Sequence, residues 1–149
     1  MLQEQELKTF VDGTTNYFEV AAQQPATIGS PYLVTEGVPA VHDYTGVINI
    51  TGKREGVVYF TAPRAMLTVL LMKMQESDFS HDNMRDIVGE VANTISGNAR
   101  RDFGREFVIS VPSVVAGEKN EIVVDPGTRC FVIPINWRSH SAKLVVALK

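Results

Sequence analysis

The chain has 149 residues, of which 44% are hydrophobic and 21% are charged, and its formal net charge at pH 7 is -3. This length is enough for one domain with a sizeable core, so we expect a single domain over residues 1–149. The negative charge removes the general attraction that nucleic acids and anionic membranes exert on basic proteins, so neither is expected as a partner. The first residues, MLQEQELKTFVDG, lack the apolar stretch of a signal peptide or membrane helix, which predicts a cytoplasmic protein.

Residues with strong intrinsic reactivity are few and scattered. Cys130 is the only cysteine, and its apolar surroundings, RCFVIPINW, predict a buried strand thiol rather than a nucleophile. His42, His81 and His140 lie far apart without a His or Cys companion at ligand spacing, so no metal site is expected. The sequence also lacks a phosphate-binding loop and a nucleophile elbow.

In chain order, the first predicted element is a helix from Gln5 to Ala22, where apolar residues recur at helical spacing before the proline-containing segment QQPATIGSP. Three segments rich in β-branched and aromatic residues follow: PYLVTEG, DYTGVINITG and GVVYFTAP. They predict three strands. The glycine-bounded turn GKREG joins the last two strands as a hairpin.

A second helix is predicted from Pro63 to about Gln75, and a third from about Asp82 to Phe103, where Gly104 suits a helix end. Three apolar strands follow in EFVISVPSVVAG, TRCFVIPINW and AKLVVALK, and EIVV is a possible short strand between the first two. The order predicts an α+β fold, in which a mostly antiparallel sheet of about six strands has three helices packed on one face.

The third helix contains the unusual stretch DIVGEVANTISGN. Helical geometry places Asp86, Glu90, Asn93 and Gly97 on one line. Almost opposite lies an apolar arc formed by Met84, Ile87, Val88, Val91, Ala92, Ile95 and Ala99. A glycine in an exposed helix costs about 1 kcal/mol relative to alanine, so Gly89 and Gly97 need another explanation. Their missing side chains would allow a partner protein to approach the helix closely.

Glu90 and Asn93 lie one turn apart and would project side by side. A carboxylate can form an ion pair or accept a proton, and a carboxamide can orient a water molecule by donating and accepting hydrogen bonds at once. The spacing alone is short enough to occur by chance in an ordinary exposed helix.

The wider pattern is more specific. Asp86, Glu90 and Asn93, followed by Gly97-Asn98 and later by the strand with Pro112, resemble the signature of the CheC, CheX and FliY phosphatases of bacterial chemotaxis. The similarity extends over most of the chain, including the glycine-punctuated hairpin. CheC and FliY typically carry two Glu/Asn pairs, and the first helix here has none, which favours the CheX type.

The resemblance implies a phosphatase that docks on a phosphorylated CheY-like response regulator and hydrolyses its aspartyl phosphate. Asn93 would orient the attacking water and Glu90 would pair with the regulator's active-site lysine, with Asp86, Gly89 and Gly97 as further candidate contacts. Magnesium would be carried by the regulator, and no cofactor is expected on this chain. The resemblance also implies a homodimer, for which the hairpin and AKLVVALK are predicted to provide free sheet edges.

Two other functions fit the same residues. The fold could serve as a non-catalytic dimeric adaptor or sensor that uses Glu90 and Asn93 for docking alone. An enzyme acting on a small molecule is a weaker alternative, because no cluster of acid, base and nucleophile accompanies the pair. Three arginines, Arg100, Arg101 and Arg105, are interpreted first as cations that stabilise the helix end, with steering of an acidic regulator as the alternative.

Overall fold

The computed structural model describes residues 2–34, 37–117 and 122–149 and contains the three predicted helices. They are α1 (Glu4–Val20), α2 (Arg64–Lys73) and α3 (His81–Phe103). Helix α3 has local signals at both ends. At the start of the helix, the Ser80 side chain accepts a hydrogen bond from the backbone N–H of Asn83. Gly104 ends it with a φ of 90°, a conformation that glycine adopts without steric cost.

The strands form one antiparallel sheet. Their bounds are β1 (Thr27–Ile28), β2 (Tyr32–Val34), β3 (Tyr44–Gly52), β4 (Gly56–Ala62), β5 (Phe107–Ile109), β6 (Ser113–Ala116), β7 (Cys130–Trp137) and β8 (His140–Leu148). The order across the sheet is β1-β7-β8-β4-β3-β5, with β2 also paired to β7 and β6 also paired to β3. The predicted hairpin is present as β3 and β4, with Ile50 opposite Gly56. The α+β class and the antiparallel sheet are therefore confirmed.

Alternating side chains of the strands point to opposite faces of the sheet, as a period of two requires. On one face, the three helices cover a large core that includes Ile48, Phe60, Ile133, Leu144 and Val146. On the other face lies a smaller apolar cluster, formed by Val41, Val47, Val57, Tyr59, Cys130, Val132, Val145 and Ala147. The helices are thus segregated to one face, as predicted.

Helix α1 runs antiparallel to α3 on this face. The ring centroids of Phe10 and Phe103 are 5.8 Å apart near the start of α1 and the end of α3. One turn further along α1, a Cβ atom built on Gly13 would lie 3.4 Å from the carbonyl oxygen of Ile95. This close approach aligns the last turns of α1 with the middle of α3.

The strand count is higher than the sequence predicts, because EFVISVPSVVAG forms two strands and Thr27–Ile28 adds a short one. Pro112 has no backbone N–H to donate to the neighbouring strand. The backbone N–H of Asn49 donates a hydrogen bond to the Ser110 hydroxyl instead of to a backbone carbonyl. These features separate β5 from β6. The possible strand EIVV begins at residue 121, outside the described residues, and its remaining residues 122–124 are not in a strand.

The predicted location of the free sheet edges is wrong. Strand β8, which contains all of AKLVVALK except Lys149, lies between β7 and β4, and β4 lies between β8 and β3. The C-terminal strand and the hairpin therefore form the centre of the sheet, with their backbone groups already paired. In the part of the chain that the structure describes, β1 and β2 form one edge, and β5 and β6 form the other.

Candidate functional site on helix α3

The apolar arc of α3 is buried as the sequence predicts. All seven residues of the arc are at most 3% exposed. The helix approaches the sheet closely at strand β3, where a Cβ atom built on Gly46 would lie only 2.3 Å from the Val88 carbonyl oxygen. A real Cβ atom does not fit there, so Gly46 sets the height of α3 above the sheet.

Gly89 also has a packing role, which corrects its prediction as a partner contact. It is buried, and a Cβ atom built on it would lie 3.4 Å from both Pro112 Cβ and Val114 Cγ2. Pro112, between β5 and β6, and Val114 of β6 therefore fill the space that was expected to admit another protein. Arg85 ties the helix to β6 by donating a hydrogen bond to the Val114 carbonyl at 3.5 Å. Gly89 serves the fold of its own chain.

The polar line on the opposite side of the helix faces solvent. Asp86, Glu90 and Asn93 are all exposed, and none of them forms a hydrogen bond or ion pair with any residue in the described ranges. Gly97, one turn beyond Asn93, is half-buried, but a Cβ atom built on it would meet nothing within 4 Å. Gly97 thus has the open surface that was expected of both glycines. Asp86, Glu90, Asn93 and Gly97 are named the polar line below.

The polar line changes charge along its length. At its N-terminal end, a small cleft between α2 and α3 is lined by the carboxylates of Glu76, Asp86 and Glu90 together with Asn83, Leu71, Met74 and Ile87. At its C-terminal end, a shallow depression is lined by Gly97, Gly104 and the three arginines Arg100, Arg101 and Arg105. Asn93 lies between the acidic end and the basic end.

Tyr17 of α1 is close enough to Glu90 to be affected by its charge, a relationship that the sequence alone does not reveal. Its ring is 2% exposed, and its hydroxyl has no hydrogen-bond partner among the residues that the structure describes. Burial and, to a smaller extent, the charge of Glu90 raise the pKa of this phenol above its ordinary value. The phenol is therefore neutral at physiological pH. The sequence shows Tyr17 only as one apolar residue of the first helix, because its neighbour comes from another element.

The other reactive residues lie away from the polar line. Cys130 is buried in β7, as predicted, and burial raises the pKa of its thiol. His81, the first residue of α3, is 2.7 Å from the Tyr44 hydroxyl through its Nδ1 atom. Within residues 2–34, 37–117 and 122–149, no three His, Cys, Asp or Glu side chains are grouped so that they could hold a metal ion.

The family is decided by comparison with known proteins. A family model described as chemotaxis phosphatase CheX matches residues 44–136, which is more than half of the chain and includes the whole of α3. The chain belongs to the CheX family. No curated protein sequence matches it significantly.

Solved CheX-like structures share the fold over nearly the full chain. A putative chemotaxis protein from Desulfovibrio vulgaris Hildenborough is 27% identical, with a TM-score of 0.85 over 100% of this chain and 99% of that one. CheX from Desulfovibrio desulfuricans is also 27% identical, with a TM-score of 0.84 over 97% and 99% of the two chains. These matches confirm the CheX-like fold.

A more distant relative was crystallised with a partner. CheX from Borrelia burgdorferi, solved as a complex with CheY, BeF3 and Mg²⁺, is 18% identical to this chain, with a TM-score of 0.77 over 100% and 99% of the two chains. At that identity the match shows the fold alone. Among the described residues of this CheX-family chain, no helix is long and apolar enough to cross a membrane.

Proposed function

We propose that this CheX-family chain accelerates hydrolysis of the aspartyl phosphate on a CheY-like response regulator. The family is described as a chemotaxis phosphatase, and the B. burgdorferi relative was crystallised with CheY. The observation that carries the proposal is the state of Glu90 and Asn93. Both side chains face solvent without a partner in the described chain, on a helix whose opposite face is buried. The packed helix fixes their backbone positions, and their side chains are free to contact another protein.

In this reaction, a water oxygen attacks the phosphorus atom in line with the aspartyl oxygen. The bond between phosphorus and the aspartyl oxygen breaks, which leaves a free carboxylate and inorganic phosphate. Such a reaction depends mainly on positioning of the water. The Asn93 carboxamide suits this role because its oxygen accepts a hydrogen bond from the water while its nitrogen can donate to a phosphoryl oxygen.

Glu90 is proposed to pair with the active-site lysine of the regulator. Its position one turn before Asn93 would bring its carboxylate beside the water-binding amide. The magnesium ion of the reaction belongs to the regulator in this proposal, and this chain supplies no ligand to it. Asp86 and Gly97 flank the pair as proposed contacts, and the open surface at Gly97 would let the regulator's backbone approach α3.

A homodimer in the cytoplasm remains part of the proposal. Because the hairpin and β8 are central, a second copy that extends the sheet would pair at the edges formed by short strands. Large exposed apolar residues occur at both edges: Tyr32 and Leu33 on β2, and Val108 and Val111 in and after β5. Burial of such residues against a second copy would stabilise an assembly.

The experiment that tests the proposed function is the decay of phosphorylated regulators with and without this chain. Each CheY-like regulator of the source organism is phosphorylated with a small phosphodonor, and its dephosphorylation is followed by phosphate release. Faster decay of at least one regulator is expected at catalytic concentrations of the chain. Tight binding without faster decay would instead support the adaptor function.

A further inference from the structure

Three exposed arginines lie at the end of α3, and two exposed carboxylates, Asp102 and Glu106, are interleaved with them in the sequence. Arg100 and Arg101 lie in the last turn of the helix, and Arg105 follows Gly104. All three are exposed, and none forms an ion pair or hydrogen bond with any residue in the described parts of the chain. They surround the shallow depression that Gly97 and Gly104 leave open. These three arginines are named the arginine cluster.

The arginine cluster is continuous with the polar line. Gly97 belongs to both, and at 1.5 Å per residue Arg100 and Arg101 lie about 10–12 Å along the helix from Asn93. Stabilisation of the helix dipole accounts for cations in the last turn, such as Arg100 and Arg101. It does not account for Arg105, which follows the residue that ends the helix, or for the open glycine surface between the cations.

We infer that the arginine cluster binds a carboxylate-rich patch on the same regulator whose phosphoryl group meets Glu90 and Asn93, an inference that rests on the proposed function. Guanidinium groups pair with carboxylates through two parallel hydrogen bonds, which gives the contact a defined geometry. A partner that matches this surface therefore has a cation opposite Glu90 and carboxylates opposite the arginine cluster. This opposed pattern fixes one docking orientation, since reversal of the partner would place like charges together.

The cluster also sets the rate of encounter. The chain has a net charge of -3, which would repel an acidic partner without a local basic surface. Three guanidinium groups around one depression, which Asp102 and Glu106 do not line, attract an acidic partner and raise the association rate, and salt screens this effect. The arginine cluster is thus a surface for orientation and steering, separate from the groups that contact the phosphate.

The test is stopped-flow association with a regulator activated by beryllofluoride, measured at low and high salt. The triple variant R100Q/R101Q/R105Q removes three positive charges from the cluster. Its control, K8Q/R138Q/K149Q, removes three exposed charges that lie outside α3. The cluster variant is expected to associate about tenfold more slowly than the control at low salt, and the difference is expected to shrink at high salt. R100K/R101K/R105K is expected to recover most of the rate, because it restores the charge.

Equal association rates for the cluster variant and its control would overturn the inference. A DNA duplex that binds the wild type but not the cluster variant, with unchanged regulator association, would also overturn it and assign the cluster to phosphate groups. Either result leaves the proposed function standing if the wild type still accelerates regulator decay. If the wild type neither binds nor dephosphorylates any regulator, the proposed function and the inference both fail.

Discussion

Gly46 of β3 lies directly beneath Val88 of α3, so close that a Cβ atom on Gly46 would sit 2.3 Å from the Val88 carbonyl oxygen. The contact joins the central hairpin to the helix two residues before Glu90. Backbone atoms on both sides leave no flexible side chain that could move aside. The position of the polar line relative to the sheet is therefore determined by a glycine on the opposite side of the helix.

The two glycines Gly46 and Gly97 should respond in opposite ways to alanine. Gly46→Ala should lower the free energy of unfolding by about 2–3 kcal/mol, because the new methyl group pushes α3 from the sheet. Gly97→Ala should raise it by up to about 1 kcal/mol, because the added methyl meets nothing and alanine is the better helix former. Urea unfolding of both variants measures the difference. A stable Gly46→Ala variant would show that α3 is not held at this height.

Substitutions at the candidate site should leave the stability of the fold nearly unchanged. Asn93→Ala and Glu90→Ala should each leave the free energy of unfolding within about 0.5 kcal/mol of the wild type, or raise it slightly, since both side chains are exposed and without partners in the described chain. Val91→Asp, on the buried side of the same helix, should prevent folding because it buries a charge. Thermal unfolding by circular dichroism distinguishes the outcomes. A large loss in Asn93→Ala would make Asn93 a structural residue.

Gly97→Ala should change stability and regulator binding in opposite directions. If the regulator approaches α3 at Gly97, the added methyl group should weaken docking while it stabilises the free chain. The regulator concentration that gives half-maximal turnover should therefore rise as the unfolding midpoint rises. Both quantities are measured on the same preparation. Unchanged regulator affinity in the Gly97→Ala variant would remove Gly97 from the proposed contact surface.

The sequence was sufficient to predict α3 and its two sides. Helical periodicity depends only on residues near in sequence, so the buried arc from Met84 to Ala99 and the exposed side chains Asp86, Glu90 and Asn93 follow from spacing. The helix end at Gly104 and the β3–β4 hairpin are also local features, specified by glycine-containing segments. These parts of the fold could be predicted without knowledge of tertiary contacts.

The errors concern contacts between distant segments. Gly89 lies between the polar line and the buried arc of the helix, whereas Gly97 belongs to the polar line, and the path of the chain through Pro112 and Val114 buries Gly89 and leaves Gly97 open. The order of strands in the sheet also depends on contacts between segments that are distant in sequence. Nothing in AKLVVALK specifies that two strands flank it, so the prediction of an apolar C-terminal strand at an edge was wrong. The approach of Tyr17 to Glu90 likewise depends on how α1 packs on α3.

Tyr17 should make the protein less stable at alkaline pH. Its pKa is higher in the folded chain than the value of about 10 in the unfolded chain, so the unfolded chain releases the proton first as pH rises. Below about pH 10 the phenol of Tyr17 is neutral in both states, and its contribution to the free energy of unfolding does not change with pH. Above that pH, this group lowers the free energy of unfolding by up to about 1.4 kcal/mol per pH unit. Tyr59 and Cys130, whose pKa values burial also raises, act in the same direction.

Tyr17→Phe should therefore reduce the slope of stability against pH above pH 10. At neutral pH it should stabilise the chain by about 1 kcal/mol, because it removes a buried hydroxyl that has no hydrogen-bond partner in the described residues. Urea unfolding from pH 7 to pH 11 measures both effects. A Tyr17→Phe variant that is less stable than the wild type at pH 7 would show that the hydroxyl has a partner, such as an ordered water.

The proposed homodimer predicts a particle of about twice the chain mass of 16.4 kDa in light scattering at micromolar concentration. The paired variants Leu33→Lys and Val108→Lys place a charge on opposite edges of the sheet, and a dimer built on one edge should be disrupted by one variant and not by the other. A monomeric wild type would contradict the dimer.

The chemical roles of Glu90 and Asn93 should differ in kinetics. Glu90→Gln should weaken the complex as well as slow turnover, with a larger loss of affinity at low salt, because an ion pair with the regulator's lysine contributes to binding. Asp82→Asn, which removes another exposed carboxylate from the same helix, serves as its control and should have a small effect. Binding is measured separately on a beryllofluoride-activated regulator.

Asn93→Ala tests the central claim most directly. If Asn93 holds water in line only as the transition state forms, its loss should lower the maximal rate of dephosphorylation about a hundredfold, or about 2.7 kcal/mol, with regulator affinity nearly unchanged. The measurement is the decay of phosphorylated regulator at saturating concentrations of the wild type and of Asn93→Ala. A variant that accelerates decay as fast as the wild type would contradict the assignment of Asn93 as the residue that positions the attacking water.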